Sequence, residues 1–254
     1  MLAAHQYNTD KKSPWLIWLH GLLGSAADWQ PIIAHCSDHP SLVVDLPGHG
    51  DSQVFGCDSF SHFDQQLSAL LQHYNIKEYY LIGYSLGARL AMHYACFQPA
   101  EGLKGLVIEG GNVGLIDNQE RLARNKHDHL WAQRFRQEPI EQVLKGWYQQ
   151  GVFADLTPSQ RQQLIALRSL NNPQRVADML ENTSLSKQPF LVDKLQQLTV
   201  PYCYFCGERD QKFRSVSQQY ALPLTLIANA GHNAHRENPQ SYATALHYFL
   251  SHCG

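Results

Sequence analysis

The sequence predicts an α/β fold: a mostly parallel sheet with helices on both faces and an inserted helical cap. Six short aliphatic and aromatic runs, at 15–19, 42–46, 79–83, 105–108, 202–206 and 224–227, show no clean polar–apolar alternation. Near-continuous apolar strands suit a parallel sheet that is covered on both faces. Helix-period patterns lie between the runs, and strands alternating with helices imply parallel crossover connections. Residues 112–195 break this rhythm and contain no strand pattern.

Each element has its own signal. His20, Gly21 and Leu22 directly follow the first run, and Asp45 to Gly50 form a turn after the second. Phe63, Leu67, Leu70, Leu71 and Tyr74 then recur at helical spacing and make one apolar stripe. After the 79–83 run, Ala88, Leu90, Ala91, Tyr94 and Ala95 open another helical segment. Within 112–195, Thr157, Pro158 and Gln160 give a capping-box pattern with proline at the first helical position. Asn172 and Pro173 precede a stripe of Val176, Met179 and Leu180. A structureless loop of that length is rare in a compact domain. The expectation is therefore a core formed by 1–111 and 196–254, carrying a helical cap at 112–195. The last helix starts with Asn238 as N-cap and Pro239 behind it, and turns Tyr242, Leu246, Phe249 and Leu250 to one side.

Composition excludes several functions. The chain has 254 residues, 44% hydrophobic and 11% aromatic, which is a globular balance. A net charge of −2 gives no global basic field for nucleic acid or an anionic membrane. No apolar run approaches a membrane span, so a cytoplasmic protein without membrane insertion is expected. Cys36, Cys57, Cys96, Cys203, Cys206 and Cys253 are scattered and suggest no disulfide framework. Cys203 and Cys206 are three apart in a strand run, so they should face opposite ways and not share a metal or redox task. Gly48 and Gly50 are followed by Gln53 where a dinucleotide-binding loop has a third glycine. No metal-ligand cluster is evident, and no cofactor is expected.

Gly83, Ser85 and Gly87 form G-x-S-x-G between a strand run and a helical segment. That context is the one a nucleophile elbow requires: the glycines permit the sharp turn that lifts the hydroxyl clear of the sheet. A serine so placed needs a base, and the base needs an orienting group. Asp210 follows the strand run at 202–206, and His232 follows the one at 224–227. Both stand beyond carboxyl ends of strands, where parallel sheets bind ligands. His235 competes with His232 but lacks a preceding glycine. The backbone N–H groups of Leu22 and of Leu86, the residue after the serine, are placed to form an oxyanion hole.

Taken together, His20–Gly21, the 45–50 turn, 83–87, 207–210 and 231–232 resemble the α/β-hydrolase superfamily along the whole chain. The stretches 83–89, 109–111, 147–150, 152–154, 166–169, 206–213 and 230–239 narrow the resemblance to the 2-succinyl-6-hydroxy-2,4-cyclohexadiene-1-carboxylate synthase family of menaquinone biosynthesis. Leu23 departs from the small or polar residue common there. The resemblance implies a carbon–oxygen lyase that eliminates pyruvate, with catalytic Ser85, Asp210 and His232. It implies substrate-binding roles for Tyr84, Arg89, Arg121, Arg124, Trp147, Tyr148, Arg168 and Lys212. Charge agrees with it: residues 112–195 carry two more basic than acidic groups, and the remainder carries four more acidic than basic. A positive cap over a serine suits a small anionic carboxylate substrate. A serine hydrolase of esters, thioesters or carbon–carbon bonds is the competing expectation, and a non-enzymatic receptor on the same fold is a weaker one.

Overall fold

The computed structural model describes residues 1–252; Cys253 lies outside the described residues. Seven strands form one sheet: β1 Ala4–Tyr7, β2 Trp15–Leu19, β3 Ser41–Val44, β4 Tyr79–Tyr84, β5 Leu103–Glu109, β6 Tyr202–Gly207 and β7 Leu224–Ile227. Their order is β1-β3-β2-β4-β5-β6-β7. Only the β1–β3 pair is antiparallel. The six expected strands are all present, and β1 is an addition. It is a half-exposed edge strand of Ala4, His5, Gln6 and Tyr7, so it carries no apolar run to announce it.

The sheet is covered on both faces, and the two-residue period of each strand divides its side chains between two cores. Ile17 and Leu19 of β2, Leu81 of β4 and Ile108 of β5 pack on one side, under helices Phe60–His73 and Leu86–Phe97. Leu16, Trp18, Ile82 and Val107 pack on the other, under helix Pro239–His252. Cys206 and Cys203 fall into these two opposite clusters. Each fully buried aliphatic side chain here contributes roughly 1.5–3 kcal/mol of transfer free energy. The 86–97 helix lies directly against β2, because a Cβ on Gly87 would meet the Leu19 carbonyl oxygen at 2.2 Å.

Between β5 and β6 the described chain is helical: Asn118–Gln137, Ile140–Trp147, Pro158–Arg168, Pro173–Asn182 and Val192–Gln196. Its caps follow local chemistry. Thr157 Oγ1 accepts from Gln160 N at 3.2 Å while Gln160 Oε1 accepts from Thr157 N at 2.8 Å. Asn172 Oδ1 accepts from Arg175 N at 3.2 Å. Phe135, Val143, Leu144, Leu164, Val176 and Leu180 form a third core, and Leu23, from the loop after β2, closes it. Leu23, expected from the sequence resemblance to be a departure, has a packing role. It is buried at φ 67°, and the apolar contact offsets the strain of that backbone region. Among the described residues, no helix is long and apolar enough to cross a membrane.

Candidate active site

Ser85 sits between the end of β4 and the start of the 86–97 helix, with φ 52° and ψ −107°. A non-glycine residue in this region stores strain of about 1–3 kcal/mol, which the surroundings must hold in place. They do so through its backbone: Ser85 N donates to Glu109 O at 2.8 Å, and Ser85 O accepts from Arg89 N at 3.1 Å.

The loop after β7 carries His232. Its Nδ1 lies 2.7 Å from Asp210 Oδ2, and both residues are buried. A carboxylate at Nδ1 favours the tautomer with the proton there, which leaves Nε2 free to exchange a proton with another group. Asp210 Oδ1 accepts from Phe213 N at 3.2 Å, so the same carboxylate caps helix Gln211–Gln219. Phe213 stacks on the imidazole with ring centroids 4.8 Å apart and planes at 15°. Gly110 closes the opposite side, where a Cβ would come within 2.9 Å of His232 Cε1. Ser85 and His232 open onto one cavity of about 380 Å³.

Among the described residues, three cations line that cavity, Arg89, Arg124 and Lys212, and no aspartate or glutamate does. Arg89 is buried, and its hydrogen bonds go to neutral oxygens: Gln188 Oε1 at 2.6 Å and the Thr183 carbonyl. Burial, with the charge of Arg124 adding to it, pushes its guanidinium down to about 9. Lys212 is lowered by burial first and by Arg124 second, against the opposing pull of Asp210. Arg124 is partly neutralised by Asp128 Oδ1 at 2.8 Å. The excess is positive, and a carboxylate-bearing ligand relieves it. Trp147 and Phe153 supply an apolar wall.

Four of the expected substrate-binding residues do not line this cavity. Arg168 Nη2 lies 2.7 Å from both carboxylate oxygens of Asp28, so its charge is already met. Arg236 reaches the same Asp28. Burial pushes the Asp28 carboxyl up, and Arg168 and Arg236 more than reverse this, holding it at about 2. Arg121 Nη1 donates to the carbonyls of Ser186 and Gln188 at 3.0 Å each, which ties helix 118–137 to the following loop. Tyr148 is buried in the third core. Tyr84 packs with the second core yet stands beside the site: its ring lies 5.3 Å from that of His232, and its hydroxyl donates to Asn233 Oδ1 at 2.6 Å. His235, the competitor of His232, is fully buried against Glu109 and outside the cavity lining. The cavity adds residues given no site role from sequence, among them Asn112, His127, Phe153 and Phe213. His127 is three residues past Arg124, on the same helical face, which is the one signal that pointed to it.

The loop bearing Leu22 is held beside Ser85. A Cβ on Gly21 would lie 3.4 Å from Ser85 Cβ. Two buried histidines fix this loop by accepting backbone protons: His20 Nε2 from Leu46 N and His49 Nε2 from Leu23 N, each at 3.0 Å. Their Nδ1 atoms meet the carbonyls of Gly21 at 2.7 Å and Pro47 at 2.9 Å. Both rings must be neutral to do this. Burial lowers His20, and burial with the nearby His20 lowers His49 to about 3. The unfolded chain takes up these protons near the ordinary histidine value of about 6.5, so acid favours unfolding. Stability is fully present above that pH and is lost as pH falls from it toward about 3. Urea unfolding from pH 7.5 down to 5 should show a slope of up to ~1.4 kcal/mol per pH unit for each such histidine. His49→Gln keeps an acceptor for Leu23 N and should flatten that slope; equal slopes in both proteins would count against this account.

Away from the cavity, His5 Nε2 lies 3.4 Å from Asp45 Oδ2 and 3.6 Å from Asp51 Oδ2, a grouping with metal-ligand chemistry that the sequence did not reveal. Asp45 also accepts from Ala26 N and Asp51 N, at 2.6 and 2.9 Å, so it already braces the 45–50 turn.

Residues 14–239 match the family model described as alpha/beta hydrolase fold. Proteins named 2-succinyl-6-hydroxy-2,4-cyclohexadiene-1-carboxylate synthase from Yersinia pseudotuberculosis serotype O:1b (strain IP 31758) and Yersinia pestis (strain Pestoides F) are each 56% identical over 238 residues, 94% of this chain and 88% of theirs. Among solved structures, MenH from S. aureus superposes with a TM-score of 0.90 at 26% identity, covering 99% of this chain and 98% of that one. A thermophilic esterase from Thermogutta terrifontis shares the fold, with a TM-score of 0.81 at 20% identity, over 98% of this chain and 93% of that one.

Proposed function

The chain belongs to the alpha/beta hydrolase family and, within it, to the 2-succinyl-6-hydroxy-2,4-cyclohexadiene-1-carboxylate synthases, and from that premise we propose that Ser85, His232 and Asp210 form a catalytic triad that eliminates pyruvate. The observation that carries this is one cavity in which Ser85 and His232 meet three cations and no acidic side chain.

The substrate is 2-succinyl-5-enolpyruvyl-6-hydroxy-3-cyclohexene-1-carboxylate, which bears a succinyl ketone, several carboxylates and an enolpyruvyl ether. The Ser85 oxygen, its proton passing to His232 Nε2, removes the ring proton α to the ketone. The freed electron pair forms an enolate, shifts through the ring double bond and expels the ether oxygen. The leaving enolpyruvate regains a proton and tautomerises to pyruvate. Activating a hydroxyl to abstract a proton uses the same hydrogen bonds as activating it to attack a carbonyl. The backbone N–H groups of Leu22 and Leu86 stabilise the enolate oxygen as an oxyanion hole. Arg89, Arg124 and Lys212 bind the carboxylates. Residues 112–195 act as a cap over the core: they bring Arg124, His127, Trp147 and Phe153 to a cavity whose floor is Ser85, Arg89 and His232.

A serine hydrolase would use the same triad, and the cationic lining favours elimination. Coupling pyruvate release to lactate dehydrogenase tests the reading directly, with substrate made by the preceding enzyme. Turnover at about 1–10³ s⁻¹ is expected. Fast p-nitrophenyl ester cleavage with no pyruvate release would transfer the assignment to a hydrolase.

A further inference from the structure

Ser85 and His232 stand on separate elements, and Glu109, at the end of β5, is bonded both to Ser85 and to the segment that follows His232. Its carbonyl accepts Ser85 N at 2.8 Å. Its carboxylate, 1% exposed, accepts the backbone N–H of His235 at 3.1 Å and meets His235 Nδ1 at 2.8 and 3.0 Å. The next residue, Gly110, has φ 55° and lies against the His232 ring.

The arrangement has no packing explanation. His235 is fully buried and stacks on Trp29 with centroids 4.4 Å apart. Its Nε2 has no hydrogen-bond partner among the described residues, so the ring spends its polar capacity on Glu109 alone. An apolar aromatic side chain would fill this space without a buried orphan nitrogen or a buried carboxylate. What the pair supplies instead is register: it holds the loop that presents His232 to the strand end that holds Ser85. Tyr84 to Asn233 is a second tether on the same loop.

We infer that Glu109 and His235 are positioning residues for the reaction, setting the geometry between Ser85 and His232 without touching substrate. This rests on the reading of Ser85 and His232 as hydroxyl and base, and the experiment separates the two claims. His235→Phe keeps the stacking on Trp29 and removes Nδ1–H. His235→Asn places an amide N–H near the position of Nδ1. Two rates are measured, pyruvate release and covalent labelling of Ser85 by a fluorophosphonate, which needs no substrate. A misplacement of the reacting groups on the order of 1 Å costs ~10²-fold. The expected result for His235→Phe is a fall in kcat of roughly 10- to 100-fold with KM within about twofold, and labelling slowed in parallel. His235→Asn should recover most of both rates. A folded His235→Phe protein with both rates unchanged would overturn the inference, as would an asparagine variant no faster than the phenylalanine one. Should His235→Phe fail to fold, His235→Gln, whose amide reaches the position of Nε2, replaces it; equal rates for Asn and Gln overturn the inference equally. Labelling that follows the expected order in a protein that releases no pyruvate would retain the positioning pair and reject the elimination reading.

Discussion

Replacing Ser85 with alanine should lower pyruvate release by at least ~10³-fold while substrate affinity stays within a few-fold. Removing a triad serine costs catalysis on this scale, because the remaining groups supply only binding and electrostatic stabilisation. The substitution is otherwise mild. Alanine at φ 52° meets the same backbone restriction as serine, and the bonds that hold the turn, Ser85 N to Glu109 O and Arg89 N to Ser85 O, are backbone bonds that survive it. The cations that line the cavity are untouched. Single-turnover pyruvate release and the dissociation constant from tryptophan fluorescence give the two numbers, with Trp147 in the cavity wall as the reporter. Near-normal turnover would reject Ser85 as the group that moves the proton.

The sequence disclosed those features whose cause is local. Five strands were legible because each is buried on both faces and so reads as an apolar run, and the sixth, half-exposed β7, was legible from its aliphatic residues alone. The Ser85 turn, the 157–160 capping box and the Asn172 cap were legible because their geometry is set by a few adjacent residues. Asp210 and His232 were readable from their positions after strands, and the structure brings them within 2.7 Å. Residues whose meaning depends on a distant partner were not legible. Nothing near Arg168 in sequence shows that Asp28, 140 positions away, occupies its guanidinium. Arg121 and Arg124 are one helical turn apart, and only the packing of helix 118–137 decides that Arg124 faces the cavity. Tyr84 adjoins Ser85, and strand alternation sends its side chain to the second core, where its ring lies 5.3 Å from that of His232.

Two buried arginines therefore carry opposite expectations. Arg89→Ala should cut kcat/KM by a large factor. Arg89 lines the cavity and has no carboxylate partner, so truncating it removes a charge the substrate would otherwise complete. The loss of one partner from a desolvated charge pair costs about 2–5 kcal/mol, or ~30- to several thousand-fold in affinity for the reacting complex. Arg168→Ala should instead lower stability. It strips Asp28 of its main counter-charge and leaves Arg236 as the remaining ion-pair partner of a buried carboxylate, a change of about 3–5 kcal/mol when both groups are buried. KM of the remaining folded Arg168→Ala protein should stay near wild type, because Arg168 is paired with Asp28 and is not among the residues that line the cavity. The sequence resemblance gave both residues one role, anion binding; the ion pair to Asp28 gives Arg168 a carboxylate partner that Arg89 lacks. Steady-state kinetics at 15 °C beside thermal melts of both variants decide between these accounts. A raised KM with an unchanged melting temperature for Arg168→Ala would return it to the substrate site. Unchanged kinetics for Arg89→Ala would remove the cation on which the anionic-substrate argument most depends.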